Sequence, residues 1–347
     1  MKINYLNNVK FLLCILIICI HSTINPELTG IDISASNYVG YYYFQYFVCE
    51  ILARIAVPLF FTISGYLFFS NEKPFNWDFY SSKMKKRLYS LVLPYICWNL
   101  IYVIIRLLEN LLHSSSNSQP VWEWGLSDYI YAFWATPNGN TPIDAPLWYM
   151  KSLLLVFILS PIIYHLLNKL GKIFLLFLGC CWLMNWQLPS ITTSAIFFVS
   201  IGAYIRINNV KFSDCHLLKW GGYLFIVFSI MNLVGLKYFD CAYINKIAIV
   251  TGMVSFMRIS NKAYEKKMLC IPDYIAESSF FVYAYHYKFA IAYTYLFSRI
   301  IHCTNSLIVS LLFISSVLVI AVLGVLAYSI MKRISPKVLS ILTGGRI

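Results

Sequence analysis

Residues 10–21 read Lys-Phe-Leu-Leu-Cys-Ile-Leu-Ile-Ile-Cys-Ile-His, so a lysine and a histidine bound an unbroken apolar run. Similar runs recur along the whole chain, which is typical of helices in a lipid bilayer. Because an ionisable imidazole is costly in lipid, His21 is a candidate functional residue. Eleven residues make about three helical turns, so Lys10 and His21 would share one helix face, about 17 Å apart.

Two other interpretations of this segment remain open at this point. His21 would be structural if it lay at the headgroup level while Lys10 extended toward water as an anchor. A cleaved signal peptide over residues 1–25 is disfavoured, because residues 22–26, Ser-Thr-Ile-Asn-Pro, lack the small residues of a cleavage site.

The composition predicts an all-α membrane protein with a single domain over residues 1–347. Hydrophobic residues make up 60% of the chain and charged residues only 12%, against about 25% charged in soluble domains. The net charge of +13 does not indicate nucleic-acid binding, because the basic residues fall in short segments between apolar runs. The ten cysteines lack metal-ligand spacing, so no metal site is expected.

The apolar runs predict a single bundle of about ten transmembrane helices. They span residues 8–25, 48–69, 88–112, 147–167, 173–188, 191–206, 217–236, 243–258, 280–301 and 306–331. With the N-terminus inside, 20 of the 27 Lys and Arg residues fall in inner segments and three in outer loops. This asymmetry predicts a multi-pass protein of the inner membrane with both termini in the cytoplasm.

The longest predicted outer loops are residues 26–47 and 113–146. The second contains several prolines and no Lys or Arg, so it is expected to hold at most short helices. Loops of this length are often binding loops or lids.

Several polar residues interrupt or adjoin the apolar runs. Arg54 needs a partner inside the second run, either a carboxylate such as Glu50 or a substrate. The basic cluster that precedes the third run is typical of a cytoplasmic loop, but Arg87, nearest the membrane, could bind a phosphate through two hydrogen bonds. His286 is a second intramembrane histidine, for which simple hydrogen-bonded packing is the alternative.

Several motifs follow one another along the chain: Lys10 with His21, the segment 54–66, Arg87 followed by Pro94-Tyr95, Leu147-Trp148-Tyr149, and the segment 279–286. This ordered set resembles the acyltransferase-3 family of integral membrane acyltransferases, which includes O-acetyltransferases of surface polysaccharides. The chain departs from the family pattern at three positions: Lys10 stands where Arg is common, Asn7 where Asp is frequent, and Ser90 where a second arginine often follows.

The resemblance implies a mechanism and a set of site residues. His21 would act as general base or carry the acyl group transiently, and Arg54 would orient the acceptor or stabilise the oxyanion. Acyl-CoA, expected to be acetyl-CoA, would be a donor substrate from the cytoplasm and not a permanently bound cofactor. Its arm would rise toward His21, and its phosphates would lie near four cations: Lys10, Lys83, Lys86 and Arg87.

The acceptor implied by the resemblance is a hydroxyl group of a surface or lipid-linked glycan. Candidate substrate-binding residues are Glu50, Asp144, Trp148, Tyr149 and His286. Either of the two carboxylates, Glu50 or Asp144, could orient His21.

Two other functions are alternatives to acyl transfer for a membrane protein of this kind. A transporter or flippase for a lipid-linked glycan would use Lys10, Arg54 and His21 to line its path, but the chain shows no repeated halves. A polysaccharide polymerase would need basic residues in its outer loops, and residues 113–146 contain none.

Overall fold

The protein is entirely helical over the residues that its computed structural model describes. Those residues are 3–24, 29–70, 73–112, 119–136, 141–186, 188, 190–210, 217–236, 238, 241–301 and 303–346. Within them the only β-type pairing is an isolated bridge between Leu188 and Ile191. The predicted all-α class is therefore confirmed.

The described helices are numbered here in chain order. They are α1 (Ile3–His21), α2 (Ser36–Phe68), α3 (Trp77–Leu112), α4 (Leu126–Trp134), α5 (Ala145–Ile158), α6 (Ser160–Leu170), α7 (Lys172–Leu183), α8 (Thr193–Ile207), α9 (Leu217–Gly235), α10 (Ala242–Glu265), α11 (Asp273–Glu277), α12 (Ser279–Ile300), α13 (Ser306–Ile334) and α14 (Pro336–Thr343).

A helix covers most of each predicted apolar span, but the spans differ in length. Among the described residues, α2, α3 and α13 are long and apolar enough to cross a membrane. The pair α5 and α6, bent by 64° around Leu159, gives a fourth crossing if it counts as one span. The protein is therefore a helical membrane protein, while ten crossings and cytoplasmic termini stay predictions.

Two helices begin earlier than the apolar pattern predicted. α2 starts at Ser36, so the predicted outer loop 26–47 is wrong over its second half. This added helix is held by Tyr41, which is fully buried and whose hydroxyl accepts a hydrogen bond of 3.2 Å from the backbone N–H of Ile24. Aromatic residues of interfacial character can extend a helix beyond its apolar core.

α3 starts at Trp77, eleven residues before the predicted span. Asn76 caps it, since its side-chain oxygen accepts a hydrogen bond of 2.9 Å from the backbone N–H of Phe79. The basic cluster of residues 83–87 therefore lies on a continuous helix and not in a loop. A π-helical segment, Leu88–Val92, follows this cluster directly.

Apart from the first two residues of α5, the described part of the segment 113–146 contains only a 3₁₀ turn, Val121–Glu123, and α4, as predicted. The segment folds back against the bundle: the Tyr95 hydroxyl donates a hydrogen bond to the Phe133 carbonyl, and Lys151 donates one of 2.7 Å to the Trp134 carbonyl. Residues 113–118 and 137–140 of this predicted loop lie outside the described residues.

α1 is the central helix of the bundle. It packs against α2, α10, α11, α12 and α13, and its Val9, Leu13 and Ile18 are fully buried. Inside a membrane such packing rests on close van der Waals contact, because lipid tails are as apolar as the side chains they would replace. Lys10 and His21 are thereby held among the other helices.

The closest helix pair is formed by α2 and α8. A Cβ atom added to Gly202 would lie 2.0 Å from the Thr62 carbonyl oxygen, and one added to Gly65 would lie 2.2 Å from the Val199 carbonyl oxygen. The two backbones therefore touch at both glycines, a contact that only small residues permit.

Gly202→Ala is expected to destabilise the protein by about 1–3 kcal/mol or more, because the added methyl group must push two backbones apart. Thermal unfolding in detergent measures the effect. The matched control is Gly222→Ala in α9, where the added Cβ would meet only the Ser255 hydroxyl at 3.5 Å. Equal unfolding temperatures for the two variants would contradict the close contact.

Candidate active site

A cavity of about 420 Å³ lies between α1, α2, α3, α5, α11, α12 and the last residues of the chain. Its volume is in the range of small-molecule sites. The lining is mostly apolar and aromatic, with a few polar groups: Asn7, Lys10, Ser64, Arg87, Tyr149, Glu277, Ser279, Tyr283 and Arg346.

Three cations line this cavity. Lys10 comes from the middle of α1, Arg87 from the turn of α3 before the π-helical segment, and Arg346 from the C-terminus. The guanidinium of Arg87 lies over the Phe157 ring at 5.1 Å, and that of Arg346 over the Phe280 ring at 4.4 Å. Burial, followed by the charge of Arg87, lowers the pKa of Arg346 to about 10, so it stays protonated at neutral pH.

The two other predicted phosphate-binding lysines do not line the cavity. Lys83 donates a hydrogen bond of 3.3 Å to the Leu67 carbonyl and lies over the Phe79 ring at 5.2 Å. Lys86 is exposed on the face of α3 that points away from the bundle. Because successive residues of a helix point 100° apart, only some members of a basic cluster can face one cavity.

Two tyrosines whose ring centroids are 6.2 Å apart form one wall of the cavity. The Tyr149 hydroxyl is hydrogen-bonded to the Ser64 hydroxyl at 2.9 Å, which joins α5 to α2. The Tyr283 hydroxyl donates to the carbonyl of Pro146. Trp148, which precedes Tyr149, packs against the Phe61 ring at 6.2 Å and does not line the cavity.

His21 and His286 form a pair beyond this wall. Their ring centroids are 5.2 Å apart, and the Tyr287 ring lies edge-on to His21 at 5.1 Å. His286 is fully buried. Its Nδ1 lies within hydrogen-bond distance of the Tyr283 carbonyl, and its Nε2 has no hydrogen-bond partner among the described residues. The hydrogen bond at Nδ1 leaves the Nε2 lone pair available as an acceptor.

The cavity does not reach the histidine pair. Tyr283 lines the cavity, and His286 follows it by three residues on α12 with the two ring centroids 6.0 Å apart. The passage expected between the cations and His21 is therefore interrupted by the Tyr283 side chain. A ligand that extends from one to the other must displace this ring.

Arg54 and Glu50 are paired with each other. The Arg54 guanidinium donates two hydrogen bonds, of 2.9 and 3.0 Å, to the Glu50 carboxylate. The two residues lie one turn apart across the end of a π-helical segment, Tyr46–Leu52, in α2. This part of α2 packs against the end of α1, where the Cys49 thiol donates a hydrogen bond of 3.3 Å to the Cys19 carbonyl. π-helical segments often occur at functional sites.

Asp144 is buried beside α3 and away from Arg54. Its backbone N–H donates a hydrogen bond of 3.2 Å to the Asn99 side chain. Its carboxylate makes no hydrogen bond of normal geometry with a described residue, although the Tyr102 hydroxyl is close to it. Neither Asp144 nor Glu50 contacts His21 among the described residues, so the predicted carboxylate partner of His21 is not seen in this conformation.

Comparison with known proteins identifies the family. A family model described as an acyltransferase domain matches residues 3–327. The chain belongs to the acyltransferase-3 family. This acyltransferase is also 23% identical to the succinoglycan biosynthesis protein ExoH of Rhizobium meliloti (strain 1021), over 98% of this chain and 92% of that protein. No solved structure matches it. The protein is thus a membrane-bound acyltransferase.

The site of this acyltransferase contains residues that the sequence did not indicate. Arg346 lines the cavity, yet it stands in no spacing pattern that points to it. Ser64 also lines the cavity and is hydrogen-bonded to Tyr149. Among the described residues, no group of three His, Cys, Asp or Glu side chains could hold a metal ion.

Proposed function

We propose that this acyltransferase transfers an acyl group, with acetyl the first to test, from cytoplasmic acyl-CoA to a hydroxyl group of a polysaccharide. The acceptor would be a surface polysaccharide or its lipid-linked precursor. The family match supports acyl transfer, and the relative named for succinoglycan biosynthesis supports a polysaccharide acceptor. The inner membrane is the expected location, since the donor is made in the cytoplasm.

One observation carries the proposal: a cavity lined by three cations lies next to a pair of histidines, one of which, His21, is the last residue of α1. The donor phosphates would bind among Lys10, Arg87 and Arg346, where charge-assisted hydrogen bonds are strong. The pantetheine arm would extend along α1 and displace the Tyr283 ring. The thioester would then lie beside His21.

The proposed reaction is a direct transfer. His21 accepts the proton of the acceptor hydroxyl group as its oxygen forms a bond to the thioester carbonyl carbon. The carbon–sulfur bond then breaks, and the protonated His21 returns the proton to the departing thiolate. Arg54 would stabilise the negative charge on the carbonyl oxygen. His286, through its free Nε2, would accept a hydrogen bond from the acceptor or from a water molecule.

The first test is a transfer assay with purified protein in lipid nanodiscs. Radiolabelled acetyl-CoA and longer acyl-CoA donors are incubated with polysaccharide from the source organism, and label on the polysaccharide is counted. In parallel, mass spectrometry compares the surface polysaccharide of cells with and without the gene. We expect label transfer in the first experiment and loss of one acyl mass in the second.

A transporter for a lipid-linked glycan gives a different result. It would leave the acyl content of each polysaccharide repeat unchanged and would consume no acyl-CoA. Deletion of the gene would then reduce the amount of polysaccharide at the surface, and not its acylation.

A further inference from the structure

The last residues of the chain lie outside the region that the family model matches. The match ends at residue 327, whereas the C-terminal tail, defined here as residues 335–346, contains α14 and the cavity residue Arg346. The tail is therefore a part of this site that membership of the family does not assign.

The tail is firmly docked on α3. The indole N–H of Trp98 donates a hydrogen bond of 3.0 Å to the Leu342 carbonyl, and the hydroxyl groups of Tyr89 and Ser340 are 2.9 Å apart. Leu339 is fully buried. The tail thus contacts the π-helical segment of α3 that follows Arg87.

A glycine turn directs Arg346 into the cavity. Gly344 has a φ of +63°, and a Cβ added there would lie 2.6 Å from the Ser90 carbonyl oxygen. Arg346 donates one hydrogen bond of 3.0 Å to that same Ser90 carbonyl and another of 3.0 Å to the Thr343 carbonyl. The α-helical partner of the Ser90 carbonyl would be the backbone N–H of residue 94, and Pro94 has none, which leaves this carbonyl available for the contact.

The cations of the cavity lack a counter-charge. Among the described residues, no ion pair involves Lys10, Arg87 or Arg346. The one carboxylate of the lining, Glu277, is held by Lys332 at 2.8 Å. The buried Nε of Arg87 has no hydrogen-bond partner among these residues. Three like charges close together repel one another, and an anion between them would relieve this repulsion.

We propose that Arg346 is a phosphate-binding residue for the donor, and that the tail closes the donor site around it. The ligand class is an organic compound that carries several phosphate groups. This inference rests on the proposed function, in which acyl-CoA is that compound.

Arg346→Gln tests the inference in the transfer assay. We expect the KM for acyl-CoA to rise by about 10-fold or more with kcat within about threefold, because the donor loses a charge-assisted hydrogen bond. Free CoA should lose potency as a competitive inhibitor by the same factor. Lys337→Gln is the matched control, since it removes an equal charge from an exposed position of α14.

Two further variants separate charge from docking. Arg346→Lys keeps a charge and should raise KM less than Arg346→Gln does. Gly344→Ala keeps the arginine but clashes with the Ser90 backbone, so it should raise KM and make the tail more accessible to limited proteolysis. If Arg346 only fastened the tail, Arg346→Gln would show the same increase in proteolysis as Gly344→Ala, and the KM effect would not depend on charge.

Failure of the Arg346 inference and failure of the proposed function give different results. Wild-type transfer from acyl-CoA with an unchanged KM in Arg346→Gln would overturn the role of Arg346 and leave the proposed function intact. A wild-type protein that neither transfers from acyl-CoA nor binds CoA would overturn both.

Discussion

His21→Ala is expected to lower the rate of acyl transfer by at least about 100-fold, with insertion into the membrane unchanged. Loss of a general base costs about 10²- to 10⁴-fold, and the described residues offer no carboxylate at His21 that could replace it. Initial rates with saturating donor, measured on protein purified from the membrane fraction, give the effect. The KM for acyl-CoA should change little, because Lys10, one of the cations proposed to bind it, lies about three helical turns away.

The matched control for this variant is His165→Ala. His165 is exposed on α6, away from the cavity, so its loss should affect neither the rate nor the unfolding temperature. Full activity in His21→Ala would remove this residue from the mechanism. A fall in activity that paralleled a fall in unfolding temperature would indicate that the ring serves packing against His286 and Tyr287.

Arg54→Gln is expected to lower kcat by about 10²- to 10³-fold, the usual effect of removing one donor from an oxyanion site. The change leaves the donor cavity intact, so the KM for acyl-CoA should stay within about threefold of the wild-type value. Steady-state kinetics with varied acyl-CoA separates the two constants.

Glu50→Gln tests whether Arg54 acts on the reacting carbonyl or whether its ion pair with Glu50 is the important feature. Arg54 and Glu50 form an ion pair within α2, with a nitrogen–oxygen distance of 2.8 Å. If Arg54 acts on the reacting carbonyl, Glu50→Gln should retain most of the activity. If the ion pair itself is the important feature, the two variants should lose activity to the same extent.

The helical bundle could be predicted from the apolar runs, but the places where helices begin could not. Apolar spans report the part of a helix that lies in lipid, whereas α2 and α3 extend beyond it through a buried tyrosine and an asparagine cap. His21 and His286 were indicated by their positions alone, but their proximity depends on the packing of α1 against α12.

The cations of the cavity show why the sequence alone does not locate every residue of the site. Of the four predicted cations, Lys10 and Arg87 line the cavity, and the helical geometry of α3 turns Lys83 and Lys86 elsewhere. Arg346 reaches the cavity only because its tail docks on a segment some 250 residues earlier. Contacts of that range follow from the tertiary structure, and no local pattern encodes them. The roles of all these residues in catalysis stay predictions.

The backbone contact between α2 and α8 has a consequence for how a bulky donor enters. Because a methyl group does not fit between their backbones, we expect these two helices to move together. Ser64, next to Gly65, lies on this pair and holds Tyr149 through its hydrogen bond. We therefore expect the site to widen at the other elements that line it, such as α12 with Tyr283.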